Sequence, residues 1–272
     1  MDTYFDIRRS ELCIPGLDTV TTFLHISDDH LCIVDDMTQE EEAKRLRTRE
    51  SFWHDGKKGF AQFFGETVTD EKIETPTKDA FLRLLDYAGK EHVDAVLSTG
   101  DLLEHMHDAG VRFLHRHLSD RPFDFIAAPG NHETESCEGV WCAGVQLFEY
   151  EGFRVVTLDD RLRTVTRDSL DALEQICAEG KPVILMMHVP LLTDSNRTSI
   201  LGHMDTYYFI DEHTCDESGK RLLGILRSTS AVKMILCGHI HGYTVTEPIQ
   251  GIRQISAPQG MIGSAHLLTI HG

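Results

Sequence analysis

The chain has 272 residues, and its 26 Lys and Arg against 44 Asp and Glu give 26 − 44 = −18 at neutral pH. Such a field repels a phosphate backbone and an anionic lipid surface, which argues against a nucleic-acid polymer or a membrane as partner through general positive charge. No stretch approaches the ~20 apolar residues that span a bilayer, and Met1 to Arg9 lacks the apolar segment of an export signal.

In chain order, an alternating stretch from Tyr4 to Ile14, the pair Pro15-Gly16 and the apolar run Val20 to Ile26 predict a hairpin-like pair of strands. The second strand breaks into Ser27-Asp28-Asp29-His30. From Leu31 to Thr75 the text is polar, with Glu40 to Arg47 reading as an exposed helix and Phe52, Trp53, Phe60, Phe63 and Phe64 as an aromatic cluster. A segment at about 31–75 exceeds an ordinary connection and is expected to be either a lid or specificity insertion or a decorated surface helix. Thr75-Pro76 predicts an N-cap followed by Pro at the first helical position, with Ala80, Phe81, Leu84, Leu85 and Ala88 on one face. Val93 to Leu97 is the next buried strand, and it breaks into Gly100-Asp101-Leu-Leu-Glu104. A helix with Val111, Leu114 and Leu118 inward returns to the apolar run Phe123 to Ala128, which ends on Gly130-Asn131-His132-Glu133.

Further on, Phe153 to Leu158 and Arg161 to Thr166 read as a hairpin around Asp159-Asp160, followed by a helix with Leu170, Leu173, Ile176 and Cys177 inward and Gly180 as its stop. Val183 to Met187 is a strand ending at His188-Val-Pro190. The stretch Leu191 to Asp216 is irregular and polar and carries His203, Tyr207, Tyr208 and His213. A helix near Arg221 to Arg227 leads to the strand Val232 to Cys237, which breaks into Gly238-His239-Ile240-His241-Gly242, and Thr244 to Ile270 alternates like two or three antiparallel strands. Because no linker tract, charge block or repeat divides the chain, a single domain over 1–272 is predicted. The seven Cys are odd in number and lack framework spacing, and Cys137 with Cys142 is a C-x4-C without a second pair, so free thiols and a reducing cytoplasmic setting are expected.

Five apolar runs thus end in Asp28 and His30, in Asp101, in Asn131 and His132, in His188, and in His239 and His241. In α/β sheets, chemistry gathers beyond the carboxyl ends of the strands. Carboxylate, amide oxygen and several imidazoles are what borderline divalent ions accept, namely Mn, Fe or Zn with Mg also admissible, and one bridging carboxylate would let the set hold two ions.

These blocks resemble the calcineurin-like metallophosphoesterases. The family pattern D-x-H, G-D, G-N-H-[DE], H, G-H-x-H is met by Asp28-Asp29-His30, Gly100-Asp101, Gly130-Asn131-His132-Glu133, His188 and Gly238-His239-Ile240-His241. The resemblance implies an α/β fold, a four-layer α/β/β/α sandwich of two mixed sheets flanked by helices, with a two-metal site between the sheets' ends. It implies that Asp28, His30 and His241 hold one ion, that Asn131, His188 and His239 hold the other, and that Asp101 bridges them. His132 would be catalytic, Glu133 a support, and Glu104, three positions past Asp101, the carboxylate that sustains His132. Two divalent ions less two ligand carboxylates leave a local charge of about +2, enough to draw a phosphate ester into an acidic protein. A shared water turned into a metal-bridging hydroxide would hydrolyse that ester.

The protein Ser/Thr phosphatase branch grips a phosphate dianion with an Arg after the bridging Asp and another before G-N-H-E. Here His105 follows Glu104 and Pro129 precedes Gly130. Lacking those forks, the chain is expected to be a phosphodiesterase of small substrates, with cyclic-nucleotide-like ones included. A phosphomonoesterase is the alternative, with Arg45, Arg47, Arg49 or Lys57-Lys58 supplying the cations. A silent scaffold of this fold would have lost ligands, and this chain retains them all.

Overall fold

The computed structural model describes residues 4–66, 68–201 and 204–272, so His203 lies outside the described residues. The strands are β1 Asp6–Cys13, β2 Thr21–Ile26, β3 Ala95–Ser98, β4 Asp124–Ala127, β5 Val145–Tyr150, β6 Phe153–Leu158, β7 Val183–Met186, β8 Leu191–Leu192, β9 Ile210–Asp211, β10 Val232–Cys237, β11 Thr244–Ile249, β12 Ile252–Ser256 and β13 Ser264–His271. The α-helices are α1 Glu40–Phe64, α2 Asp70–Glu74, α3 Thr77–Lys90, α4 Asp108–Leu118, α5 Arg167–Ala178, α6 Arg197–Ile200 and α7 Glu217–Ser228.

Two mixed sheets form, in the orders β1-β13-β2-β3-β4 and β11-β12-β10-β7-β6-β5. Alternate residues of each inner strand face opposite layers, which explains why these strands read as continuous apolar runs. Phe23, Ala95, Leu97 and Ile126 of the first sheet meet Val155, Ile184, Met186, Met234 and Leu236 of the second in the core between the sheets. Leu24, Ile26 and Val96 instead pack against Phe81, Leu84 and Leu85 of α3 and Leu114 of α4. Val156, Val183, Leu185 and Ile235 pack against Leu170 and Leu173 of α5 and Leu222 and Leu226 of α7. The result is the α/β/β/α sandwich that the resemblance implied.

Three local expectations are corrected. The first two strands do not form a hairpin: β13 lies between them, parallel to β1 and antiparallel to β2. Burial explains this, because β13 is buried on both faces except at Thr269 and His271, whereas no residue of β1 is fully buried, which suits β1 to the edge. The later hairpin is β5–β6, turning at Glu151-Gly152 with Gly152 at φ 75°, and Arg161 to Thr166 forms no strand. There Asp160 has a different task, described below. Pro76 is the N-cap of α3 and not its first residue. The Thr75 hydroxyl donates to the Glu71 carbonyl at 2.7 Å, closing α2, while Glu50 accepts from the Thr77 amide and hydroxyl, each at 2.9 Å, to open α3.

The 31–75 segment is mostly the 25-residue α1, which packs Trp53 and Ala61 against Met261 and Ile262. All seven cysteines are free thiols. No helix among the described residues is long and apolar enough to cross a membrane.

Candidate metal centre

Five loops leave the carboxyl ends of β2, β3, β4, β7 and β10 and converge. The chain there turns more tightly than most side chains allow. Asp28, His30, Asp101, His239 and His241 have φ of 57°, 45°, 53°, 70° and 55°, in the left-handed region. Residues held so are uncommon and cluster where function over-determines the backbone. Gly130 is a steric necessity: a Cβ there would lie 2.3 Å from the Asp101 amide nitrogen.

The seven expected ligands come together in two groups that share Asp101. In the first, His30 Nε2 is 3.2 Å from His241 Nε2 and 3.8 Å from Asp101 Oδ2, and His241 Nε2 is 3.3 Å from Asp28 Oδ1. In the second, His188 Nε2 is 3.0 Å from Asn131 Oδ1, 3.0 Å from His239 Nδ1 and 3.4 Å from Asp101 Oδ2. Ligands about 2.1 Å from a common ion lie ~3.0–3.4 Å apart at octahedral to tetrahedral angles.

The donor chemistry also fits cations. The His188 Nδ1–H donates to the Thr99 carbonyl at 2.7 Å, and the Glu104 carboxylate lies 3.2 Å from His30 Nδ1. The first contact fixes the proton on Nδ1 and aims the Nε2 lone pair at the centre, and the second sets a carboxylate beside Nδ1, where its charge favours a proton on that nitrogen. Two imidazole lone pairs facing each other at 3.0–3.2 Å repel unless a cation lies between them. Asp28 Oδ1 is buried with no hydrogen-bond partner, while its Oδ2 accepts from the His239 amide at 3.0 Å. Burial, together with the neighbouring His188, pushes His239 down to about 3, and burial with His30 carries His241 well below its usual range. Both are neutral imidazoles able to coordinate. His188 moves the other way, because although burial opposes its charge the carboxylates of Asp101, Asp28 and Asp160 push it up to about 10. The same field that favours a proton there favours a metal cation.

Two buried carboxylates hold the loops by accepting from main-chain amides. Glu133 accepts from Gly130 at 2.6 Å and from Asp101 and Leu103 at 2.9 Å each. Burial and the Asp101 charge raise it to about 7. Asp160 accepts from the amides of His188 at 2.7 Å and Val189 at 3.0 Å, and burial raises it also to about 7. Asp160 was not among the residues expected from the sequence, where Asp159-Asp160 reads as an ordinary turn. The only signal is two adjacent acids directly after a buried strand.

His132 stands on the cavity side of Asp101, with its amide donating to Asp101 Oδ1 at 2.9 Å and its Nε2 4.0 Å from Asp101 Oδ2. Its Nδ1–H donates to the carbonyl oxygen of Glu104 at 2.6 Å, and the Glu104 carboxylate is 3.7 Å from that nitrogen, beyond a hydrogen bond. The pairing expected from the sequence therefore runs through the main chain. The Glu104 side chain instead accepts from Trp53 Nε1 at 2.6 Å and from the Arg49 guanidinium. Burial would raise its carboxyl, but hydrogen bonds from His30 and Trp53 outweigh burial and hold it at about 2.

Above the centre lies a cavity of about 760 Å³, lined by Arg49, Phe52, Phe60, Phe63 and Tyr208 and floored by Asp101, Asn131, His132, His239 and His241. Trp53 stacks on His30 with ring centroids 4.1 Å apart, and Phe60 lies 4.4 Å from His241. Of the cations weighed in the insertion, Arg47 pairs with Glu40 at 2.7 Å, Arg45 lies 4.0 Å from Glu42, and the buried Lys57 donates to the Thr75 carbonyl at 2.6 Å. Arg49 is the one Lys or Arg among the described residues lining the cavity.

Two layers of sheet with a paired-ligand cluster beyond the strand ends define a binuclear hydrolase architecture. Residues 21–243 match the calcineurin-like phosphoesterase family, and the chain belongs to it. It is a metal-dependent phosphohydrolase. No curated protein matches the chain. Among solved structures it is similar to a dimetal phosphatase from Danio rerio, at 14% identity and a TM-score of 0.55, over 89% of this chain and 88% of that one. A predicted phosphoesterase from Streptococcus pneumoniae aligns at 10% identity and a TM-score of 0.35, over 89% of this chain and 74% of that one.

Proposed function

We propose that this enzyme hydrolyses small phosphodiesters with two divalent ions, Mn, Fe or Zn, with Mg also admissible. Asp28, His30 and His241 would hold one, Asn131, His188 and His239 the other, and Asp101 both. Bound ions lower the pKa of water toward neutrality and neutralise charge that develops on the phosphoryl oxygens. His132 carries out the proton chemistry. Its Nδ1–H is committed to a carbonyl that can only accept, so the protonated ring presents Nε2–H to the leaving oxygen. Without the ions, burial disfavours that charged form but Asp101 and the Glu104 carbonyl outweigh burial and raise His132 above its usual range; two bound cations oppose the charge, which the carbonyl contact at Nδ1 helps to offset. α1 roofs the centre as part of a single domain, with its Trp53 and Phe60 rings packed on His30 and His241. The free thiols support a reducing, cytoplasmic setting.

The observation that carries the diester reading is the charge inventory of the cavity. Its one guanidinium, Arg49, is bound to the Glu104 carboxylate. Glu104, paired with the Arg49 Nε, offsets that charge, so a monoester dianion meets little net positive charge in the cavity beyond the ions, and a diester monoanion needs less of it. The test is hydrolysis by the Mn-loaded enzyme of an aryl phosphomonoester, the matching diester and cyclic AMP. Higher kcat/KM on a diester is expected, and preference for the monoester overturns the reading.

A further inference from the structure

The cavity face of α1 contains a contradiction between helix chemistry and packing. Arg49, Phe52, Trp53, Gly56, Gly59, Phe60, Phe63 and Phe64 recur at helical spacing and line the cavity. Two of these positions are glycine, among the poorest of helix formers, in the interior of a 25-residue helix. Neither has the positive φ that would require glycine. A Cβ on Gly56 would touch the Trp53 ring at 3.2 Å, which accounts for that glycine. A Cβ on Gly59 would meet nothing within 4 Å. Gly59 therefore answers to neither backbone nor packing, and its effect is to keep the wall of the cavity hollow.

The rims of that hollow are rings with exposed surface. Phe52 is 53% exposed, Phe63 47% and Tyr208, across the cavity beside His239, 41%. Large apolar surfaces left exposed around a concave site mark a ligand's place. The occupant is neutral, because Asp205 at the same rim repels an anion and the Arg49 guanidinium repels a cation. Flat π-faces on the rim favour a planar group.

We propose that the α1 face around Gly59, between Phe52 and Phe63 and opposite Tyr208, is a subsite for a neutral planar ring carried by one ester arm of the substrate. This rests on the diester reading for the identity of the substrate, though not for the subsite itself. The ring could be an aryl group or a nucleobase, and both share the π-face that the wall recognises.

The test is Gly59→Leu, which fills the hollow while favouring the helix. The metal-loaded enzyme and the variant are compared on methyl phenyl phosphate, adenosine 5′-methyl phosphate and the ring-free bis(trifluoroethyl) phosphate. Binding of methyl phenylphosphonate and methyl methylphosphonate is measured by calorimetry, independently of turnover. Gly59→Leu is expected to keep metal content and thermal stability, to leave the ring-free compounds within about twofold, and to weaken the phenylphosphonate and at least one ring-bearing ester about tenfold. Whichever ring-bearing ester falls identifies the source of the ring. Equal effects on ring-bearing and ring-free compounds, or none on either, overturn the subsite. If wild type cleaves phenyl phosphate, assayed alongside as the monoester control, but no diester, the diester reading fails while the phosphonate pair still decides the subsite.

Discussion

The Glu104 carboxylate lies 3.2 Å from His30 Nδ1 and, on its other side, holds Trp53 Nε1 at 2.6 Å together with the Arg49 guanidinium. One side chain thus connects helix α1 to the far nitrogen of a proposed metal ligand. A carboxylate behind an imidazole fixes its tautomer and raises its basicity, and losing it typically costs 10–100-fold in metal affinity. Glu104→Gln is therefore expected to weaken one of two ions by ~10–100-fold and leave the other unchanged, in competition with a graded chelator. The acid limb of the pH–rate profile should stay in place, since the carbonyl that His132 uses survives the substitution. A shifted acid limb with unchanged metal binding would return Glu104 to the role expected from its sequence position.

Asp101 is the one residue common to both ligand groups. Asp101→Ala should remove both ions and leave the fold intact, because the site lies at the loop ends outside the core between the sheets. Plasma mass spectrometry after desalting measures the metal, and circular dichroism the fold. A variant that retains two equivalents would rule out the bridge.

The five blocks of ligands were legible because each follows an apolar run that stops abruptly, four of them strands buried on both faces and the fifth, β4, an edge strand buried only at its end. Strand neighbours were less so. Nothing local in Asp6–Cys13 says that its partner is Ser264–His271, more than 250 residues away; that pairing is decided by which strand needs burial most. Asp160 was obscured by its surroundings, since a carboxylate that serves amides across the fold looks in sequence like one that turns a hairpin. The Glu104 geometry was equally hidden, because motif spacing fixes which residue sits beside His132 but not whether its carbonyl or its carboxylate makes the bond.

Glu66 gives a pH dependence away from the metal centre. It is buried, accepting from the Tyr243 amide at 3.1 Å, and burial raises it from the ordinary 4.5 to about 7. Below pH 4.5 both folded and unfolded chains hold the proton. Between 4.5 and 7 the unfolded chain releases it and the folded chain keeps it, so stability falls as pH rises through this window, by up to about 3 kcal/mol. Glu66→Gln keeps the acceptor and removes the charge. In urea unfolding it should match wild type at pH 4.5 and exceed it by a few kcal/mol at pH 8; equal stability at both would mean that Glu66 titrates normally.

The last prediction separates proton donation from charge stabilisation at His132. Alkoxides leave poorly at neutral pH, so a positioned donor contributes perhaps ~10²–10⁴ in rate. A nitrophenolate leaves without a proton and needs no donor. His132 is not among the proposed ligands, and its ring is held by the Glu104 carbonyl at 2.6 Å with Nε2 toward the centre. His132→Ala should therefore keep two equivalents of metal, lose ~10²–10⁴ in kcat on esters of aliphatic alcohols, and lose far less on nitrophenyl esters. His132→Gln, which can hydrogen-bond but cannot transfer a proton at neutral pH, should behave like the alanine variant on aliphatic esters. Equal losses on both ester types, with partial rescue by glutamine, would instead make His132 a hydrogen-bond donor to the charge developing on the phosphoryl oxygens.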